Sequence, residues 1–418
     1  MSLSRERKLI MITAITGARI FDGERVIEER TVVLDGQRIV ALGGPVPDGA
    51  TVVDARGATL LPGLIDSHVH TSPAGLRDAL LFGVTTELEM QGRLTSVRRG
   101  KVTESDNLAD VRSAGFALTA PGGHPSELFP GDGPPPGVEL PHPSEGPLVM
   151  PNVSTPEEAV ASVAALVADG SDYIKIMIEE GSVLGHPGLP MMSEETVAAG
   201  VRAAHEHGRM ALAHALTAEA TAQGIATGVD GFTHVFIDRP HPPELVAALA
   251  DAGAFVVPCL ALVSSIMGGT GAELAADERV RSRLSQPWLD TLCGSFDRYP
   301  QGNLDDVLAT VAALHAAGVD ILAGTDVSVP VPSLGGLAHG ASLHHELRLL
   351  VAAGLTPAEA LRAATALPAR RFGLVDRGRV APGARADLLL VDGDPTTTIT
   401  DTLAIRAVWR RGVRQVTA

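Results

Sequence analysis

Tyr173-Ile174-Lys175-Ile176-Met177-Ile178 reads as a buried β-strand with one charge inside it. Lys175 is one of only three lysines in a chain that carries thirty arginines. A buried ammonium is costly unless it is paired or has lost its proton. Upstream, Leu64-Ile65-Asp66-Ser67-His68-Val69-His70 ends another apolar run with two histidines at i and i+2. Downstream, His214 closes Met210-Ala211-Leu212-Ala213 and His234 closes Gly231-Phe232-Thr233. Asp326 follows Ile321-Leu322-Ala323-Gly324-Thr325. Lys175 interrupts its run, and each of the other groups stands where an apolar run stops.

The runs are parts of a longer alternation. Between about Leu60 and Phe372, short apolar stretches ending near His68, Thr86, Thr119, Ile178, His214, His234, Pro258 and Gly324 alternate with Ala-rich segments of helical pattern. Ser193 before Glu194–His207, and Gly208 after it, frame one such helix; Asp305–Ala317 is another. Thr356-Pro357-Ala358-Glu359 reads as a helix start, with Pro at the first helical position and Glu at the third. Eight strand-then-helix units predict an α/β fold of (β/α)8 TIM-barrel type. No Gly-rich dinucleotide fingerprint follows the first strand, which argues against a doubly wound open sheet. Two excursions, Pro121–Thr155 (with His124 and His142) and Val263–Tyr299, leave the strand ends that bear the candidate ligands and are placed to roof a site.

The ends of the chain have a different texture. Asp22-Gly23, Asp35-Gly36 and Asp392-Gly393 are hairpin signals between β-prone runs. Ile12–Ile20 alternates as one strand. The ends, 1–60 and 373–418, are expected to pair into a small β-sandwich-like domain around a barrel spanning 61–372.

Composition narrows the function. The formal net charge is −16 and there is no basic block, which argues against nucleic acid or an anionic membrane surface as the partner. A small-molecule substrate is the expected partner. No apolar run is long enough to cross a bilayer. Arg5–Lys8 followed by Leu9-Ile10-Met11-Ile12 imitates a leader only weakly, Met1-Ser2-Leu3 carries no structural weight, and a cytoplasmic location is expected. Cys259 and Cys293 have neither zinc-type spacing nor disulfide density and are expected to be reduced.

Singly, the polar groups decide little. His-x-His arises by chance, a lone histidine after an apolar run is more often a core histidine, Asp326 reads equally as a helix N-cap, and Lys175 equally as a snorkelling lysine. Their conjunction at the ends of the first, fourth, fifth, sixth and eighth strands is what carries meaning, because a barrel brings those ends to one cavity. His205, His207, His315, His344 and His345 fall in helices and read as structural; His339 is open.

With these residues in place, the chain resembles the amidohydrolase superfamily, and within it the imidazolonepropionase-like and Xaa-Pro or Xaa-Arg dipeptidase-like metal hydrolases. Leu61-Pro62-Gly63 through His70 is similar to the family's first-strand signature, Tyr173–Ile176 to its fourth-strand lysine, and Gly324-Thr325-Asp326 to its eighth-strand aspartate. Glu346–Leu361 and Pro382-Gly383-Ala384-Arg385-Ala386-Asp387-Leu388 fit the helices that follow and the return to the β-domain. The resemblance implies two divalent metal ions, zinc ahead of manganese, iron or cobalt, with ligands His68, His70, Lys175, His214, His234 and Asp326. It implies that Lys175 reacts with carbon dioxide to give a bridging carbamate. Cations about 3.5–4 Å apart would then share a hydroxide, with Asp326 as general acid and base. Thr119-Ala120-Pro121-Gly122-Gly123-His124 resembles the Gly-Gly-His of this branch, which makes His124 a catalytic candidate, to stabilise the substrate carbonyl oxygen or to grip the substrate.

The sequence departs from the pattern after the second strand, where Glu87-Leu88-Glu89-Met90-Gln91-Gly92 replaces an Arg-Asp-x-Gly-Gly-like turn. Glu179 and Glu180 are read as facing solvent. Aromatic residues make up 3%, so no aromatic cage is expected. The expected reaction is cleavage of an amide-type C–N bond in a dipeptide, an N-acyl amino acid, or a carbamate- or urea-like amide. A lactonase or phosphotriesterase on the same metal pair, a mononuclear deaminase, and a non-catalytic assembly protein are the competing readings. Relatives are often oligomers, and a homo-oligomer is expected.

Overall fold

The computed structural model describes residues 12–92, 94, 96–128 and 151–415. The leader-like residues before Ile12, and His142, lie outside the described residues. Two parallel sheets form the centre. Leu64–Val69, Val84–Glu89 and Asp110–Ser113 pair in chain order in one. Ile174–Met177, Ala211–His214, Gly231–Phe232 and Phe255–Val256 pair in chain order in the other. Isolated parallel bridges extend both ladders: Val256 to Ile321, Val69 to Val327, and Leu118 to Ile176. The segment 321–327 therefore lies between Phe255–Val256 and Leu64–Val69. With all partners parallel, the carboxyl ends of these strands face one side.

Helices return the chain between strands, and their starts are written locally. The side chains of Ser72, Thr155, Ser193 and Thr217 accept from Gly75 N, Glu158 N, Thr196 N and Ala220 N at the heads of Pro73–Leu81, Pro156–Ala168, Glu194–Glu206 and Ala218–Thr227. Each such cap contributes about 1 kcal/mol by satisfying an otherwise orphaned N–H. Thr356 and Glu359 form the expected capping box.

Three strands differ from expectation: the eighth, expected to end near Gly324, is not a continuous strand but the single bridges at Ile321 and Val327. The third was expected to end at Thr119, but it is Asp110–Ser113, and Leu118 and Thr119 make only single bridges. Gly115, at φ +69°, breaks the run in between. Ile12–Ile20 is not one strand but two, Ile12–Thr16 and Arg19–Phe21, in different sheets. Gly17 turns the chain between them at φ +79°, where a Cβ would lie 2.6 Å from Arg56 Cγ.

Both chain ends meet in one six-stranded sheet. Leu388–Asp392 runs antiparallel to Ile405–Arg410 on one side and to Ala58–Pro62 on the other. A four-stranded sheet of N-terminal segments, in the order Arg38–Leu42, Thr31–Asp35, Ile12–Thr16, Thr51–Asp54, shares its buried cluster: Ile15, Leu34 and Ile39 pack with Leu60, Leu388 and Trp409. Where the C-terminal segment meets the third parallel strand, Asp110 is ringed by Arg377, Arg385 (3.0 Å) and Arg410 (3.7 Å). Among the described residues no helix is long and apolar enough to cross a membrane.

Candidate metal centre

The carboxyl ends of the strands bring all six expected ligands to one cavity. His68 sits on Leu64–Val69, with His70 just past its end, and the two rings lie 5.6 Å apart. His68 Nδ1 donates to Thr233 O at 2.9 Å and His70 Nδ1 to Gln91 O at 2.7 Å. Those bonds fix the tautomers, so both rings turn Nε2 inward. The two Nε2 atoms converge on Asp326 Oδ1, at 3.1 and 2.8 Å. The backbone of Asp326 is left-handed at φ +59°, a costly setting for a non-glycine residue and one that clusters at functional sites. Gly324 lets this segment close on the first strand, since a Cβ there would lie 2.9 Å from His68 N.

His214 and His234 complete the ring. Their centroids are 4.5 Å apart, and His234 is 4.9 Å from His68. His214 Nε2 meets Glu179 Oε2 at 3.2 Å, which leaves Nδ1 as the ring nitrogen not engaged by Glu179. Lys175 is buried, with Nζ against Thr233 Oγ1, and its charge bears on His68, His214 and His234.

The electrostatics suit a cation. Burial pushes the imidazoles of His214 and His234 well below their usual value, and that of His68 down to about 4, so all three are neutral at pH 7 with lone pairs available. Burial also brings the Lys175 amine down to about 7. For Asp326, burial works against the carboxylate, but the facing rings outweigh it and hold the group ionised, well below the usual range, and the carboxylate in turn raises His70 against the effect of burial. Both ring nitrogens of His234 are buried without a hydrogen bond. Such orphans are rare in a folded interior and point to a missing partner. His68, His70 and Asp326 present ligand atoms within 4.8 Å of one another, as do His68, His234 and Cys259. The donor set, imidazole nitrogen plus carboxylate oxygen, fits a divalent metal.

A layer of acids supports the ligands from below. Asp66 accepts from His68 N and from Thr325 N and Oγ1, and burial with Glu87 nearby raises its carboxyl to about 7. Glu87 and Glu89, the departure after the second strand, both point inward: Glu87 Oε1 pairs with His339 Nδ1 at 2.9 Å, and Glu89 Oε2 accepts from Ser113 Oγ at 2.5 Å. His339 is thereby a buried brace. The expectation that Glu179 and Glu180 face solvent is corrected for Glu179, which is buried against His214 with Oε1 accepting from Gly181 N at 2.7 Å. An acid here is stabilised by a ring from the next strand, which no local pattern shows. His124, as expected, lines the cavity, and its ring is 4.5 Å from that of His214.

The cavity measures about 570 Å³. Its walls include Leu262, Ile266, Trp288, Phe296, Leu334 and Leu337. The chain has nine phenylalanines, two tyrosines and two tryptophans, and Phe116, Trp288 and Phe296 all line this one space. Scarce aromatics are thus concentrated at the site, which overall composition hid. Cys259 and Cys293 are both free, as expected.

The profile described as "Amidohydrolase family" matches residues 59–415. An adenine deaminase of Deinococcus deserti is 30% identical over 93% of this chain and 60% of its own length. An imidazolonepropionase of Cereibacter sphaeroides is 43% identical over 84 residues, 20% of each chain. This chain spans little more than half the length of the adenine deaminases it matches throughout, 54% of one and 60% of another. Among solved structures, a Xaa-Pro dipeptidase with methionine bound in its active site superposes with a TM-score of 0.73 at 24% identity, covering 97% of this chain and 99% of that one.

Proposed function

We propose a function from one premise: the chain belongs to the amidohydrolase family, whose members are in general metal-dependent hydrolases acting on C–N bonds. On our reading it cleaves an amide-type C–N bond in a small molecule: a dipeptide, an N-acyl amino acid, or a carbamate- or urea-like amide with a bulky apolar substituent. The observation that carries the reading is the meeting of His68, His70, Lys175, His214, His234 and Asp326 at one cavity, with both buried ring nitrogens of His234 lacking partners. We take the linked parallel sheets as a (β/α)8 barrel and the sheets of the chain ends (1–60 and 373–418) as a separate small domain. The parallel bridges at Ile321, Val327 and Leu118 support the first assignment.

Divalent metal ions, zinc foremost, would be held by these six residues and would supply Lewis acidity and an activated water. The neutral Lys175 amine would add to carbon dioxide and lose a proton, giving a carbamate whose two oxygens share one negative charge. Asp326 would take the proton of the attacking water and return it to the departing nitrogen. His124 would grip the substrate, its free ring nitrogen accepting from a substrate N–H or O–H. The walls of Trp288, Phe296, Leu262 and Ile266 would seat an apolar group and exclude water from the reacting bond.

Deamination is the second reading, favoured by the adenine deaminase that aligns with 93% of this chain. Elemental analysis, followed by a blind screen of dipeptides, N-acyl amino acids, carbamates, ureas, adenine, lactones and phosphotriesters, separates them. Turnover of amides with apolar substituents at about two metal ions per chain is expected. Ammonia release from adenine at one metal ion per chain would replace the reading with deamination. Turnover confined to lactones or phosphotriesters would end it. A homo-oligomer, with neither nucleic acid nor membrane as a partner, completes the proposal; sedimentation checks the first point.

A further inference from the structure

The turn that carries His124 holds a carboxylate that the reaction above leaves unused. Glu127 lies in the 3-10 turn Ser126–Leu128, with its side chain 6% exposed. Its Oε1 is 2.6 Å from His124 Nδ1. The turn itself is tightly seated: Thr119 Oγ1 donates to His124 O at 2.7 Å, and a Cβ on Gly123 would lie 2.6 Å from Pro190 O. With the backbone held, the remaining freedom of His124 is in its ring, and Glu127 grips the ring.

The stack of His124 on His214, tilted by 31°, carries two such grips on opposite nitrogens. Glu179 meets Nε2 of His214, and Glu127 meets Nδ1 of His124. Burial alone would raise the Glu127 carboxyl, but the hydrogen bond from His124 outweighs it and keeps it ionised. An ionised carboxylate can only accept, so the proton of this bond resides on His124 Nδ1. Nε2, which makes no hydrogen bond to any described residue, is then the atom left for the cavity that His124 lines.

We infer that Glu127 is a positioning residue that locks His124 in its Nδ1–H form and leaves Nε2 for the substrate. What Nε2 does there rests on the function proposed above; the tautomer does not. Imidazole nitrogen–proton correlation spectra of the full-length, ¹⁵N-histidine-labelled protein read it without any substrate, with the His124 signals assigned by their loss in His124→Asn. Wild type is expected to show a protonated Nδ1, Glu127→Gln to retain it through its amide oxygen, and Glu127→Leu to move the proton to Nε2. A wild-type ring protonated on Nε2 overturns the inference, even if Glu127→Leu does not fold. So does a Glu127→Leu spectrum identical to wild type. With an amide substrate from the screen, Glu127→Leu should lower kcat about tenfold or more at nearly constant KM. The His124→Asn, Glu127→Leu double variant should be no slower than His124→Asn alone. Additive losses would reduce Glu127 to a brace of the turn. Failure of every amide in the screen would sink the proposed reaction and leave the spectra to decide on Glu127.

Discussion

Two buried polar clusters lie in this molecule, and they are built on opposite principles. Around Asp110, charge is matched by charge: Arg377, Arg385 and Arg410 surround one carboxylate, and Asp387 pairs with Arg385 and Arg410. Around Asp326, four imidazoles and an amine face one carboxylate, and both ring nitrogens of His234 have neither a hydrogen bond nor an opposite charge within 3.5 Å. Burial acts on both acids in the same direction, yet both stay ionised, the first held by guanidiniums and the second by imidazoles. A matched cluster holds two parts of a fold together. An unmatched one is poised for something the chain itself does not contain.

The difference is open to direct attack, first where the largest effect is expected. Asp326→Asn should lower kcat/KM by about 10²–10⁴-fold, because the proton shuttle is lost, while the melting temperature stays at or above that of wild type. A large fall in stability would erase the contrast. Asp110→Asn should do the reverse. Breaking a buried ion network costs about 3–5 kcal/mol, read by denaturant unfolding at pH 7, while the folded fraction keeps its KM. The pH dependence has a definite sign. Asp110 is held below its ordinary value of 3.8, so the unfolded chain binds the proton more readily. The advantage of wild type over Asp110→Asn is therefore present above pH 3.8 and closes as the pH falls further. A gap that widened on acidification would refute the assignment. Trp288→Ala should raise KM for amides with apolar substituents about tenfold, through lost burial of apolar surface, and spare small polar amides. Least of all, removing the exposed Glu278 partner of Arg281 should leave the melting temperature unchanged.

The unmatched cluster was the more legible in the sequence. His68, Lys175, His214 and Asp326 each interrupt or end an apolar run, and parallel strands carry such ends to one side whatever the details of packing. The matched cluster was silent, because Asp110 meets Arg377 and Arg410 only through contacts across 267 and about 300 residues of chain. Distance in sequence also hid Glu179, which looks like part of a polar turn until His214 arrives beside it. The inward Glu87 looked like a departure from pattern until His339 supplied its partner. Gly115 and Gly17 broke strands that period alone would continue, because a left-handed φ at a single residue leaves hydropathy patterning untouched. The aromatic wall was masked by averaging over the whole chain.

Metal content of wild type beside Lys175→Ala, by elemental analysis of protein purified from the same medium and paired with turnover of the same amide, bears most directly on the unmatched cluster. Wild type should hold about two divalent ions per chain, and the variant should lose at least one together with about 10²-fold or more in activity. A Lys175→Ala protein with its full complement of metal and undiminished turnover would contradict the account.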